Sequence, residues 1–389
     1  MPSPLRICAV TGSRADYGLL RRTLRAIATD PDLELQLVVT GAHLDPRSGP
    51  SRDEILADGL PISAEVDMLL ADDGPAAVTK SLGLALIGFA DTLARLRPHL
   101  MLLLGDRYEI LAPAQAALLA RIPVAHVHGG EISEGAMDES IRHALTKLAH
   151  IHLVSAAVHA RRVIQLGEAP ERVWVVGAPG LDAVADTDFM DRAELEGDLG
   201  RPLGGPHLLV TYHPVTLEDT APEAALAPLL TALDALPEFA VTFTGSNADP
   251  AGRRFERIIE AYVTGHEQAR FVPHLGQRRY LSLARLSTAV VGNSSSGLIE
   301  IPALGTPTVN IGERQRGRLR APSVIDCPAE AAAIQAAIGQ ARSPEFQALA
   351  GRGETPYGTP GVAARIHRIL KDVELDGILR KPFRDCPGC

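Results

Sequence analysis

Residues able to move a proton or grip an anion recur at one kind of place in this chain, just after a short apolar run. LMLLLG empties into Asp106 and Arg107, HLLVTY into His213 and Pro214, and AVVG into Asn-Ser-Ser-Ser-Gly with Ser294, Ser295, Ser296 and, one turn later, Glu300. TGSRAD brings Arg14 and Asp16, TGSN brings Asn247, PHLG brings His274 and IGERQRGR brings Arg314. HVHGGEISEGAMDESIRHALTKL gathers His126, His128, Glu131, Asp138, Glu139 and His143. Partial desolvation at a buried strand end disfavours a carboxylate's charged form and moves Asp106 toward base duty, unless it only caps the following helix. Arginine carries forked donors that suit phosphate oxygens, which points Arg14 and Arg107 at a diphosphate. Alternatively Asp16 caps a helix that starts near it and Arg14 is solvated. A loop of small residues at a helix start can close its amides on an anion, or its serines can simply cap the helix. Asp138 is balanced in the same way between helix cap and catalyst. His213 could bond a phosphate or transfer a proton near neutral pH.

Two signatures are absent. The SRADYG stretch lacks the three-glycine spacing of a dinucleotide site, and no HExxH-type spacing follows His126 and His128 to make a zinc site. The carboxylates suit proton transfer or sugar hydroxyls better than a metal.

The elements that must hold these residues are read from periodicity. Short apolar runs alternate with longer amphipathic ones, the pattern of a parallel sheet with crossover helices. LRICAVTG, LELQLVVTG, HLMLLLGD, IPVAHVHGG and HIHLVS form one series of strands; HLLVTYHP, FAVTFTG, ARFVPHL, TAVVGNSS and TPTVNIG form a second. The turn-rich, acidic stretch between them places a domain boundary near residues 180–205. The expected division is 1–185, then 186–358, with a C-terminal helix and tail over 359–389 that packs back on the first domain. Ligands of open α/β sheets collect at the carboxyl ends of strands, so two such series read as a cleft between two domains.

At 389 residues, 46% hydrophobic and 22% charged, the composition is globular and too long for one core. A net charge of −9 gives no field for nucleic acid or anionic membranes, so an anionic ligand must be met by local arginines. Cys8, Cys327, Cys386 and Cys389 show no disulfide framework, and the CPGC end reads as incidental thiols. The first residues do not read as a signal peptide, and no apolar run is long enough to span a bilayer. A cytoplasmic protein is expected.

Taken in order, SRADYG, GDRYE, HVHGGEISEGAMDESIRHALTKLAH, YHPVT, GNSSSGLIE and GTPTVNIGERQRGR resemble the hydrolysing UDP-N-acetylglucosamine 2-epimerases of the bacterial sialic-acid-pathway type. The epimerase half of the animal bifunctional epimerase/kinase is similar too. The resemblance covers roughly residues 5–370. It implies a GT-B arrangement, two Rossmann-like domains with the nucleotide held mainly by the second. It further implies that Arg14, Arg107, His213, Asn247, Ser294, Ser295, Glu300 and Arg314 bind the UDP part, with Glu300 on the ribose and the serines on the diphosphate. Asp16, Gly18, His274 and Ser296 complete the substrate-binding set. Asp106, Asp138 and Glu139 match acidic positions used in catalysis, with His213 also a candidate. His128 stands where the animal and non-hydrolysing enzymes carry a glutamate, so the role passes to His128 or to Glu131.

The reaction so implied turns UDP-GlcNAc and water into ManNAc and UDP through a glucal-type intermediate, with no redox cofactor or metal required. The substrate partner is a small UDP-sugar, and pairing through first-domain helices to a homodimer or homotetramer is expected. Three rivals share these motifs. One is the same chemistry on a UDP-2,4-diacetamido-trideoxyhexose of the legionaminic acid route. The others are a GT-B glycosyltransferase and a non-catalytic nucleotide-sugar-binding regulator.

Overall fold

The computed structural model describes residues 3–46, 51–72, 74–134, 136–215, 220–245 and 252–385. Asn247 and the cysteines of the CPGC end lie outside them. The alternating pattern folds into two compact domains, one comprising Met1–Glu131, Asp138–Asp182 and Tyr357–Cys389, the other Ile132–Met137 and Ala183–Pro356.

In the first domain the order is β1 (Leu5–Thr11), α1 (Arg14–Thr29), β2 (Leu33–Thr40), α2 (Ser51–Ala57), β3 (Ile62–Val66), α3 (Pro75–Leu96) and β4 (Leu100–Leu104). It continues with α4 (Tyr108–Leu119), β5 (Val124–Val127), α5 (Asp138–Leu148), β6 (Ile151–Val154), α6 (Ala157–Gln165) and β7 (Val173–Val175). Helix α7 (Gly180–Asp186) begins in this domain. The second domain holds α8 (Arg192–Leu199), β8 (His207–Thr211), α9 (Pro222–Asp234), β9 (Ala240–Thr244), α10 (Gly252–Thr264), β10 (Ala269–Val272) and α11 (Gly276–Leu286). After it come β11 (Ala289–Gly292), α12 (Ser296–Ala303), β12 (Thr308–Ile311), β13 (Val324–Cys327), α13 (Ala331–Arg342) and α14 (Pro344–Ala350); α15 (Val362–Asp372) returns to the first.

Both sheets are parallel, ordered β3-β2-β1-β4-β5-β6-β7 and β10-β9-β8-β11-β12-β13. Strand order therefore reverses at β1/β4 and at β8/β11, where the loops leaving neighbouring strands diverge to opposite faces and open a ligand crevice. The first sheet is covered by Leu20, Leu24 and Ile27 of α1 and by Val362, Ile366 and Leu370 of α15, each set repeating at helical spacing. Asp182 fixes the return of α15: its carboxylate accepts the amides of Gly361, Val362 and Ala363 at 2.6, 2.9 and 2.7 Å, an anion on a helix N-terminus. Phe243, Val291 and Val309 of the second sheet pack under Leu226, Leu229 and Leu233 of α9.

Two sequence expectations need correction. Helix α3 is 22 residues long with a mean hydropathy of 1.3 in its most apolar window, which by length and composition is enough to cross a bilayer. Lys80 and Asp91 interrupt the apolar letters but leave the average high. It lies against β3 and α4 with Ala85, Phe89 and Leu93 buried and Ile87 exposed. Helix α1 starts at Arg14 with Ser13 as its N-cap, accepting the Asp16 amide at 3.3 Å, so Asp16 is a residue of the first turn and not the cap. Burial pushes the thiols of Cys8 and Cys327 up, to about 12 and about 11, which leaves both unreactive.

Candidate active site

In the first domain Asp106 follows β4 after Gly105, and the N-cap of α4 is Arg107 rather than Asp106. The Asp106 side chain instead meets Arg142, a fully buried residue of α5. Arg142 Nε donates to Asp106 Oδ2 at 2.8 Å and Nη2 donates to the same oxygen, while Nη1 reaches Glu139 Oε2 at 2.7 Å and the Glu131 carbonyl at 3.0 Å. A guanidinium taken out of water needs such compensation, and two carboxylates supply it. Glu139 passes its other oxygen to His143 Nε2 at 2.9 Å. Residues 139, 142 and 143 meet because i, i+3 and i+4 share a helix face. Helix α5 begins at Asp138 itself, so this half-buried carboxylate belongs to the first turn.

His126 and His128 part company. His126 sits in β5 with Nε2 on the Gly105 carbonyl at 2.7 Å, and burial pushes it down to about 4, so it stays neutral and braces the strand end that presents Asp106. His128 lies past the strand with a left-handed backbone, φ 70°. Its Nδ1 is 2.5 Å from Glu131 Oε1. Glu131, 2% exposed, also accepts from Ser155 Oγ at 2.7 Å, and Ser155 meets His159 Nδ1 at 2.9 Å.

At the β1/β4 reversal, Arg107 Nη2 pairs with buried Glu109 Oε1 at 3.2 Å. Burial pushes the neighbouring Asp16 up to about 6, with Arg107 opposing the rise and Glu109 adding to it. Arg14, a quarter exposed, has Nε 3.7 Å from Glu54 Oε2, and Gly18 lies half-buried on the next turn of α1.

The second domain gathers its candidates at the β8/β11 reversal. Gly292 has φ 141°, and a Cβ there would stand 1.9 Å from the Thr211 carbonyl oxygen, so only glycine lets these strand ends close. Closure brings His213 to Asn293: the His213 amide donates to Asn293 Oδ1 at 2.7 Å and Asn293 Nδ2 donates to the His213 carbonyl at 2.8 Å. The Asn293 carbonyl accepts Arg314 Nη1 at 3.1 Å and Gln315 Nε2 at 2.9 Å. Ser295 stands at the N-cap of α12 without a side-chain capping bond. Ser296 Oγ is held by the Tyr280 hydroxyl at 2.6 Å and lies 3.2 Å from Ser294 Oγ. Capping by these hydroxyls is therefore not what the serines do. His274 is exposed after β10.

Residues 25–371 match the family described as UDP-N-acetylglucosamine 2-epimerase. The chain belongs to this family. It is 38% identical to the GDP/UDP-N,N'-diacetylbacillosamine 2-epimerase (hydrolyzing) of Campylobacter jejuni over 98% of this chain and 100% of that one. It is 35% identical to the polysialic acid biosynthesis protein P7 of Escherichia coli over 99% and 98% of the two chains. Among solved structures, the Neisseria meningitidis UDP-GlcNAc 2-epimerase bound to UDP-GlcNAc superposes with a TM-score of 0.79 at 15% identity, covering 94% of this chain and 99% of that one. At that identity the likeness shows the fold, which is of the GT-B class.

For this epimerase-family chain, sequence reasoning passed over Arg142, Ser155, His159, Asn293 and Gln315. Arg142 left one sign, a cation on the apolar face of SIRHALTKL three residues after a glutamate. Asn293 and Gln315 left none, because their partners are backbone groups brought near only by folding.

Proposed function

We propose that the chain is a hydrolysing UDP-HexNAc 2-epimerase, converting UDP-GlcNAc and water to ManNAc and UDP. The observation that carries the reading is the group at Asp106: a carboxylate paired at a strand end with a buried arginine, with the His128–Glu131 pair tied to the same arginine through the Glu131 carbonyl. Inversion at C2 needs two proton-handling groups, and this domain offers two of different chemistry.

The C2 proton of the sugar is not acidic in the ground state. Stretching the C1–O bond builds positive charge on C1 and makes that proton labile. The departing UDP must therefore be stabilised first, a task for Arg14, Arg107 and Arg314 and for the start of α12 at Ser294 and Ser295. Glu300 takes the ribose hydroxyls in this reading. Loss of the C2 proton gives a glucal-type intermediate, to which water adds at C1 as a proton returns to the other face of C2. A cytoplasmic homo-oligomer goes with this reading, paired through the exposed Leu118 and Leu119 of α4 beside Leu84 and Ile87 of α3.

An NMR time course with UDP-GlcNAc in D2O tests it. Free ManNAc carrying deuterium at C2 supports the proposal. Release of GlcNAc with its C2 proton intact would mean plain hydrolysis, and UDP-sugar binding without turnover would mean a regulator. The Campylobacter relative favours a second reading, the same reaction on UDP-N,N'-diacetylbacillosamine. Running both substrates side by side and comparing kcat/KM decides between them.

A further inference from the structure

We infer that His128 and Glu131 form a working dyad, in which His128 returns the proton to C2 of the sugar and Glu131, with Ser155 behind it, holds the imidazole for that step. The inference deepens the proposed epimerase reading and rests on it.

The backbone gives the first argument. Three non-glycine residues among those described have positive φ: Arg97, Arg121 and His128. Arg97 is the C-cap of α3 and Arg121 follows the C-cap of α4, where left-handed residues are routine. His128 stands instead where β5 enters a loop, followed by Gly129 and Gly130. A third glycine would take this conformation at no steric cost, whereas a side chain is disfavoured in it. Strain of this kind persists where the side chain it places has a task.

The second argument is the set of contacts at one oxygen. Glu131 Oε1 accepts the Ser155 hydroxyl at 2.7 Å and lies 2.5 Å from His128 Nδ1, while His159 Nδ1 backs Ser155 Oγ at 2.9 Å. A carboxylate anion can only accept, so Glu131 acting as an anion fixes Nδ1 as the protonated ring nitrogen. With Nδ1 committed, Nε2 is the nitrogen left to exchange a proton. The Glu131 side chain is 2% exposed and that of His128 11%, so the ring is the more accessible of the two. In this proposal His128 is the catalytic residue, and Glu131 and Ser155 are positioning residues.

The chemistry assigns the direction. Asp106, paired with Arg142, takes the C2 proton as the C1–O electron pair leaves with UDP and the C–H electrons form the C1–C2 double bond. The imidazolium of His128, paired with Glu131, gives its Nε2 proton to C2 on the opposite face. Water oxygen bonds to C1, and its released proton restores the imidazolium. The proton on Asp106 passes to solvent and balances the extra negative charge of free UDP.

The test uses the full chain and UDP-GlcNAc, with UDP-N,N'-diacetylbacillosamine as the second substrate. His128→Gly suits the left-handed backbone, which offsets part of the lost Glu131 contact, so it should stay folded and melt only somewhat lower than wild type. Its turnover should fall by about 10²–10⁴-fold. Free imidazole should restore at least roughly tenfold of this, entering the space the side chain left. Glu131→Gln should lower kcat by roughly ten- to a hundredfold with KM little changed. In the His128→Gly background it should cost nothing further, because it acts through the ring. Folded His128→Gly that turns over within about fivefold of wild type, or a Glu131→Gln cost that multiplies undiminished with His128→Gly, overturns the dyad while leaving the epimerase reading in place. A wild type that turns over neither substrate removes that reading and the dyad with it.

Discussion

Asp106→Asn separates proton chemistry from binding and fold. In the native structure one Asp106 oxygen takes two N–H groups of Arg142, with Nε at 2.8 Å, while Nη1 turns to Glu139 at 2.7 Å. An amide oxygen in that place keeps both bonds but loses their charge assistance. Each falls from about 1.5–3 to about 0.5–1.5 kcal/mol, so the variant should lose about 2–3 kcal/mol of stability. The larger penalty of about 3–5 kcal/mol for an unpaired buried charge does not arise, because Glu139 still faces the guanidinium. Asp106→Asn should therefore fold, melt somewhat lower and bind UDP with unchanged affinity. Turnover should drop by about 10²–10⁴, equivalent to about 3–5 kcal/mol of barrier, because an amide cannot accept the C2 proton. Calorimetric UDP titration, a melting curve and the NMR time course measure the three quantities on one preparation. Turnover within about fivefold of wild type would refute the base assignment. Weakened UDP binding would show instead that the carboxylate supports the nucleotide.

Asp16 carries a raised folded-state pKa of about 6 against an ordinary 3.8, so its contribution to stability is fully present below about pH 4 and is lost as pH rises through 6. Asp16→Asn should be more stable than wild type at about pH 8, by at most about 3 kcal/mol, and level with it near pH 4, as measured by denaturant unfolding at the two pH values; a gap that stays constant with pH would show that Asp16 does not titrate there. Gly292→Ala places a methyl 1.9 Å from the Thr211 oxygen, so β8 and β11 must separate and UDP binding should be lost; normal binding by calorimetry would contradict the close approach. Leu119, 83% exposed on α4, should lie in a contact between copies, so Leu119→Glu should convert the wild-type oligomer to a 41.3 kDa species in light scattering. A wild type that is already monomeric ends that idea.

Ten strands were legible from the sequence alone: nine are interior, and buried parallel strands read as continuous apolar runs, while the edge strand β10 showed in the run ARFVPHL. The strands that escaped, β3, β7 and β13, are sheet edges with partly exposed residues, and their letters ISAEV, VWV and VIDC carry too short or too polar a signal. The sequence could also say that chemistry-bearing residues follow strands, since Gly, Asp and Ser punctuate the runs. It could not say which residues would meet. Arg142 finds Asp106 across 36 positions, Asn293 clamps His213 across 80, and Asp182 caps a helix about 180 residues away. Periodicity is a local property, while these bonds depend on which strands become neighbours at the two reversals of sheet order. The choice between His128 and Glu131 has the same origin. Both side chains can exchange a proton, and only the packing of β5, β6 and the following loop buries the Glu131 carboxylate more deeply than the His128 ring.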